Sequence, residues 1–202
     1  MEHDLTEFRL HGRGGQGIVI ASAIFAEAVS CSSLHARAFS LFGAERRGAP
    51  VTSFIRAGRN IVMPRSKVYN PGNVIVFDAS IDKETMLEGL KNKGIVLLNS
   101  SSSGIDDFIR TLRAGLEQKQ ARLFYIDAGD IAWRNNLTSG SIPMINTVML
   151  GAMARVSGLV QLKDLIKVIE KKITASVEAN LKAAIQGYED VREVENFGFA
   201  GN

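Results

Sequence analysis

The run Phe8-Arg9-Leu10-His11-Gly12-Arg13-Gly14-Gly15-Gln16-Gly17-Ile18-Val19-Ile20-Ala21 decides the fold. Its first four residues alternate apolar and polar, the period of a half-buried strand. Four glycines between Gly12 and Gly17 then demand a tight turn, because glycine alone enters the left-handed region without strain. From Ile18 to Val29 the chain is rich in Ala, Ile and Val, and the small residues Ala21, Ala26 and Ala28 let a helix lie close to a sheet. Strand, glycine turn and helix in this order open a layered α/β fold.

Working outward, Ala36–Leu41 reads as a second strand, and Phe42–Pro50 as a loop rich in Gly and Arg. Val51–Ala57 alternates like another strand, and Gly58-Arg59-Asn60 turns into Ile61-Val62-Met63, an expected antiparallel hairpin. Asn73–Phe77, ending at Asp78, and Gly94–Leu98 are apolar runs of the buried type. Arg122–Ile126 is a further strand. Helices are predicted over Ile81–Leu90, Ile105–Leu116, Ala128–Leu137, Met144–Val156, Leu162–Ile173 and Val177–Val191, with Ser100–Ser103 a loop or a cap. The pattern predicts a three-layer α/β/α fold with a mostly parallel, mixed sheet and a Rossmann-like glycine turn after the first strand. One domain is expected over 1–195, followed by a tail at 196–202.

Composition sets the outer bounds. The 202 residues are 46% hydrophobic and 22% charged, ordinary globular usage, and the formal charge of +3 is no argument for nucleic acid. The excess is uneven: nine cations stand against five acids up to Gly72, eight of those nine being arginine, the residue suited to forked binding of phosphate or carboxylate. A scatter of surface charge is the alternative. Cys31 is the single cysteine, so no four-thiolate centre can be built from this chain, and His3, His11 and His35 lack metal-ligand spacing. No apolar run approaches the ~18 residues of a spanning helix, and the polar N-terminus is unlike a signal peptide. A soluble, cytoplasmic chain without membrane or nucleic-acid contacts is expected.

Gly12-x-Gly14-x-x-Gly17 satisfies the dinucleotide fingerprint in form and context, with free amides and a helix dipole favouring an anion. A nicotinamide site also needs an acid at the end of the second strand to hold ribose hydroxyls. Here that strand ends in Phe39-Ser40-Leu41, so the turn reads as anion-facing or partner-facing. Tight packing of helix on strand is the competing explanation. The second informative stretch is Glu45-Arg46-Arg47-Gly48-Ala49-Pro50. Adjacent arginines in a glycine- and proline-bounded loop lose entropy on ordering unless they bind something, and Glu45 can orient one of them. Both loops follow strands and are expected to converge.

Together these segments resemble the gamma subunit of pyruvate or 2-oxoacid:ferredoxin (acceptor) oxidoreductases, which in fused forms is an internal domain. Glu45-Arg46-Arg47-Gly48-Ala49-Pro50-Val51 leading to Phe54-Ile55-Arg56 carries the resemblance with the glycine turn. Asn146-Thr147-Val148-Met149-Leu150-Gly151-Ala152 is similar to the family's N-x-x-x-L-G helix, and Glu178–Tyr188 to its closing E-x-N helix. The resemblance spans roughly residues 6 to 190. It implies a CoA-dependent oxidative decarboxylation of a 2-oxoacid to acyl-CoA, with electrons leaving to ferredoxin or flavodoxin. Thiamine diphosphate, Mg and iron–sulfur clusters would sit on partner alpha, beta and ferredoxin-like delta subunits, since this chain has no Gly-Asp-Gly turn of the thiamine type. It implies no catalytic residue and no metal here. Gly12, Arg13, Gly14, Gly15, Gln16, Gly17, Glu45, Arg46, Arg47 and Gly48 are the candidates for contacting coenzyme A, or equally a partner's carboxylates. The subunit of an indolepyruvate or branched-chain oxoacid enzyme is an alternative within the family, and a stand-alone nucleotide- or anion-binding module an alternative outside it. An isolated subunit is expected to expose an apolar face or to pair with itself.

Other residues read more plainly. Cys31 is expected to be a buried small residue rather than a nucleophile. Met144, Met149 and Met153 read as core or interface packing, and Trp133 as core, with an interface anchor as its alternative. Asn146 is a cap, an interface bond or a satisfied polar group. Asp78 and Asp127 each close a strand, where either a ligand or a helix cap would place them.

Overall fold

The computed structural model describes residues 5–42, 48–59 and 64–194. Three sequence expectations, the Glu45-Arg46-Arg47 cluster, the strand Ile61-Val62-Met63 and the tail 196–202, lie outside the described residues.

Strand β1 (Thr6–Arg13) leads through the glycine turn into helix α1 (Ile18–Val29). Strands β2 (His35–Phe42) and β3 (Pro50–Gly58) come next, then β4 (Asn73–Val76), the short helix α2 (Lys83–Leu87), β5 (Ile95–Asn99), α3 (Ser102–Gln118) and β6 (Arg122–Ile126). Helix α4 (Ala128–Arg134) and a small hairpin, β7 (Thr138–Ser139) with β8 (Ile142–Pro143), precede three helices. These are α5 (Asn146–Ser157), α6 (Leu162–Lys172) and α7 (Val177–Asp190), after which β9 (Arg192–Glu193) returns to the sheet.

The seven-stranded sheet has the order β2-β3-β1-β4-β5-β6-β9. Strand β3 runs antiparallel to both its neighbours, and β9 antiparallel to β6; the pairs β1–β4, β4–β5 and β5–β6 are parallel. The mixed, mostly parallel sheet expected from the alternation is present. Its antiparallel component comes mainly from β3, wedged between β2 and β1.

Alternation along the strands divides the core in two. Phe8, Leu10, Ile75, Phe77 and Leu97 join α1, α5, α6 and α7 on one face. Val74, Val76, Val96, Leu98 and Leu123 meet α2 and α3 on the other. All four residues of β4 are buried, as befits a strand covered on both faces. Helix α5 is central: every residue from Asn146 to Ala154 is buried. It meets α7 along small residues, and a Cβ on Gly151 would stand 1.9 Å from the Ala184 carbonyl oxygen, one on Gly187 2.1 Å from that of Val148. Thr147 Oγ1 donates to Asn180 Oδ1 across the same seam at 3.0 Å.

Several boundaries move. Asp82 caps α2, accepting from the Thr85 amide at 2.8 Å, and the helix runs only to Leu87 rather than Leu90. Ser101 caps α3 through the Gly104 amide, so Ser100–Ser103 is a cap and the first turn. Helix α4 ends at Arg134 rather than Leu137, and the β7–β8 hairpin occupies residues 138–143. Cys31 is exposed, correcting the buried reading: α1 has already ended at Val29, and the thiol only touches the Glu27 carbonyl at 3.6 Å. Trp133 is 58% exposed, on the outer side of α4, and is not core. Met149 and Met153 are fully buried, whereas Met144 is 38% exposed.

Candidate functional site

The glycine turn lies at the carboxyl end of β1, where connections leave the sheet in opposite senses: α1 toward β2 and β3, and β4 on the other side. In open α/β sheets such a switch point is where ligands settle. Three of its four glycines have their own reason. A Cβ on Gly12 would stand 2.2 Å from Ile18 Cδ1 and 2.9 Å from Phe77 Cβ, so only glycine fits between strand and helix. Gly15 and Gly17 take φ of 100° and 75°, the left-handed region that other residues enter with strain.

The two loops converge as expected, as far as the second is described. Gly14 donates to Ala49 O at 2.9 Å, and Gly48 donates back to Gly14 O at 3.1 Å. Glu45, Arg46 and Arg47 immediately precede this bridge in sequence and lie outside the described residues.

Arg13 and Gln16 are brought to the turn but face inward. Gln16 Oε1 accepts from the Arg13 amide at 2.8 Å, and its Nε2 donates to Asp78 Oδ2 at 3.1 Å. Arg13 pairs with the same carboxylate at 3.2 Å and donates to Ser80 Oγ and Gly48 O. Asp78 in turn accepts from the Ser80 amide and hydroxyl. Partial burial raises the Asp78 pKa. The Ser80 bonds, the Arg13 charge and Gln16 more than offset that, so the carboxyl titrates below the usual aspartate value. Asp78 therefore anchors the turn and caps no helix, whereas Asp127 caps α4 through the Asp130 amide at 2.9 Å. The early arginines that are buried are not scattered surface charge. Arg56 is held by Glu7 and by the carbonyls of Pro64, Ser66 and Lys67. Arg9 is held by His11 and by carbonyls of α2.

The turn presents backbone outward. Helix α1 has no side-chain cap and no acid in its first turn, and its first bond runs from the Ala21 amide to Gly17 O at 2.8 Å. The Ile18, Val19 and Ile20 amides therefore lack an intrahelical acceptor. Helix α5 begins beside it, also without a side-chain cap or first-turn acid. Its first residue, Asn146, lies against Gly17: a Cβ there would be 3.0 Å from both Asn146 Cβ and Nδ2. Asn146 is 6% exposed, and its Oδ1 is buried without a hydrogen-bond partner. Two positive helix ends thus converge on one point. Beside the turn, a pocket of about 290 Å³ is lined by Arg13, Gly14, Gly15, Gln16, Gly48, Ser139, Ile142 and Met144.

Ser139 and Ile142 come from the β7–β8 hairpin, a wall that sequence reasoning missed. The signal was present in Thr138-Ser139-Gly140-Ser141-Ile142, where Gly140 takes φ of 64° at the tip. Ser80 was also missed; nothing local marks it. Among the described residues no group of acids, histidines and cysteine is arranged to hold a metal, and no helix is long and apolar enough to cross a membrane.

Comparison with known proteins agrees with the architecture. A family model described as pyruvate ferredoxin/flavodoxin oxidoreductase matches residues 7–190. The chain is 40% identical over 192 residues to the pyruvate synthase subunit PorC of Methanothermobacter thermautotrophicus, covering 94% of this chain and 98% of that protein. It is 36% identical over 193 residues to the pyruvate/ketoisovalerate oxidoreductases common subunit gamma of Pyrococcus furiosus, covering 95% and 100%. The crystal structure of the pyruvate oxidoreductase subunit PORC of Thermotoga maritima superposes with a TM-score of 0.80 at 33% identity, covering 96% of this chain and 100% of that one. The match runs through the glycine turn, the buried α5 and the α5–α7 seam alike, and the chain belongs to the pyruvate ferredoxin/flavodoxin oxidoreductase family, as a gamma-type subunit of a 2-oxoacid oxidoreductase complex.

Proposed function

We propose that this chain is the accessory gamma subunit of a cytoplasmic, CoA-dependent 2-oxoacid:ferredoxin or flavodoxin oxidoreductase. It packs on alpha, beta and ferredoxin-like delta partners that hold thiamine diphosphate, Mg and the iron–sulfur clusters. Its own residues do no bond-making. Their contribution is to receive a phosphate of coenzyme A at the glycine turn and steer the thiol arm toward the partners' centre. The observation that carries this reading is the uncapped start of α1 against the buried Asn146 of α5. Several phosphate charges on coenzyme A match a site of unengaged amides at two helix N-termini. Gly12, Gly14, Gly15 and Gly17 shape the turn. Arg13 and Gln16 hold it in place from behind, and Gly48 ties it to the loop of Glu45, Arg46 and Arg47, the charge proposed to meet the phosphate.

Recovery of the tagged full chain from its native cells tests the assembly. Co-purification of a thiamine-binding chain and an iron–sulfur protein, with CoA-dependent reduction of a dye by a 2-oxoacid, is expected. Recovery of the chain alone, at full yield and monomeric, would sink the reading. In the assembled enzyme, Arg46→Ala and Arg47→Ala should each raise the KM for coenzyme A by about ten-fold and leave the KM for the oxoacid unchanged.

A second reading has its own observation. The relative from Pyrococcus furiosus is a gamma subunit common to pyruvate and ketoisovalerate oxidoreductases. On that pattern this chain would serve more than one oxoacid enzyme, including a branched-chain one. Two different catalytic partner sets recovered with one tagged chain would establish it.

A further inference from the structure

The second face of the sheet holds a cleft that the glycine-turn reading does not use. On β1, Phe8 and Leu10 enter the main core, so Arg9 and His11 point the other way, and both are buried, at 7% and 4% exposed. Helix α2 borders this part of the sheet without closing it, and no α3 residue lines it. The gap between β3, α2 and the segment after Pro64 is a cavity of about 590 Å³, with Arg9 and His11 in its lining. That volume is within the ordinary range of small-molecule sites, about 300–1,000 Å³.

The polar groups in it are held in place. Arg9 Nε donates to His11 Nε2 at 3.0 Å, and Arg9 Nη2 donates to Met86 O at 3.0 Å and Glu88 O at 2.5 Å. Because His11 Nε2 accepts, the imidazole carries its proton on Nδ1 and is a donor there. Burial first, and the neighbouring Arg9 charge second, push the His11 pKa down to about 4, so the ring is neutral at ordinary pH. Among the described residues no acceptor is found for His11 Nδ1 or for Arg9 Nη1. Arg56 fixes the far wall by binding the carbonyls of Pro64, Ser66 and Lys67.

We propose that this cleft binds a small organic monocarboxylate with an apolar body, its carboxylate accepting from His11 Nδ1–H within the field of the Arg9 charge. Charge selects a monoanion: Arg9 and Lys67 oppose the exposed Glu88 at the rim, leaving one net positive charge, too little for a polyphosphate. Thr52 adds a hydroxyl near the base. Phe54, Leu41, Pro50 and Val68 supply apolar wall, and Tyr69, 71% exposed, stands at the mouth.

The test uses the full chain and one probe, 3-methyl-2-oxobutanoate, with the neutral ketone 3-methylbutan-2-one as control. Side-chain nitrogen NMR reads His11 directly. A saturable shift of the His11 nitrogens with the oxoacid and none with the ketone is expected. His11→Gln and the cavity-filling Thr52→Trp should each weaken binding about ten-fold or more, the amide spectrum confirming that at least one of them is folded. No saturable shift, equal response to the ketone, or undiminished binding in a folded variant overturns the proposal. Loss of binding once the partner subunits are added also overturns it, by assigning the cleft to a carboxylate of a partner chain.

Discussion

At the scale of single residues, the glycine turn owes its shape to side chains that bind one another, Gln16, Arg13 and Asp78. Gln16 uses its oxygen on the Arg13 amide and its nitrogen on Asp78, so Gln16→Leu should cost about 1–2 kcal/mol of stability through two lost bonds. Denaturant unfolding of the full chain checks this, and an unchanged midpoint refutes it. His11 gives a second prediction. Its folded pKa of about 4 lies below the ordinary 6.5, so the unfolded chain binds more protons between those values. Stability associated with the neutral ring is complete above pH 6.5 and is lost as pH falls toward 4, by roughly 3 kcal/mol at most. A thermal midpoint that stays flat from pH 6.5 to 4.5 would contradict it. The sequence displayed the turn and its glycines, with Arg13 and Gln16 among the candidate ligand or partner contacts, but not the partner these two share. In the fold both turn to Asp78, which is 62 residues away from Gln16, and no local pattern says which strand end will lie beside which.

Among the elements, the seam between α5 and α7 is the most constrained. Gly151 and Gly187 let two backbones touch, and an added methyl would meet carbonyl oxygen rather than a movable side chain. Either Gly151→Ala or Gly187→Ala should destabilise the chain by about 3 kcal/mol or more, beyond ordinary overpacking, because neither backbone can yield alone. Circular dichroism melts would show this, and a loss below ~1 kcal/mol would mean the helices slide freely. Strong periodicity made most long elements legible: α1, α6 and α7 begin or end within a residue or so of the reading. Short elements were less so: α2, read over Ile81–Leu90, holds only five residues, and β7, β8 and β9, which hold two each, are too short for a period to register. Their positions depend on what the sheet leaves uncovered.

The whole molecule presents an apolar rim around the glycine turn: Val19, Ile20, Ile142 and Met144 are 36%, 55%, 47% and 38% exposed. For a subunit of a larger complex this rim is expected to be covered by partners. Ile20→Glu together with Ile142→Glu should reduce recovery of the partner chains several-fold while leaving the melting midpoint of the isolated chain unchanged. Quantitative pull-down decides, and full recovery would move the docking face elsewhere. The wedged position of β3 carries a consequence for biosynthesis. When a ribosome has delivered β1, α1 and β2, the sheet has an open slot one strand wide, with unpaired backbone on both sides. Only residues 50–58 can close it, and at about 5–20 residues per second they are complete about 1–3 s after β2. Until then the nascent chain offers two bare strand edges, so translational pausing before Gly58 should send this subunit toward chaperones or aggregates, whereas pausing after it should be harmless.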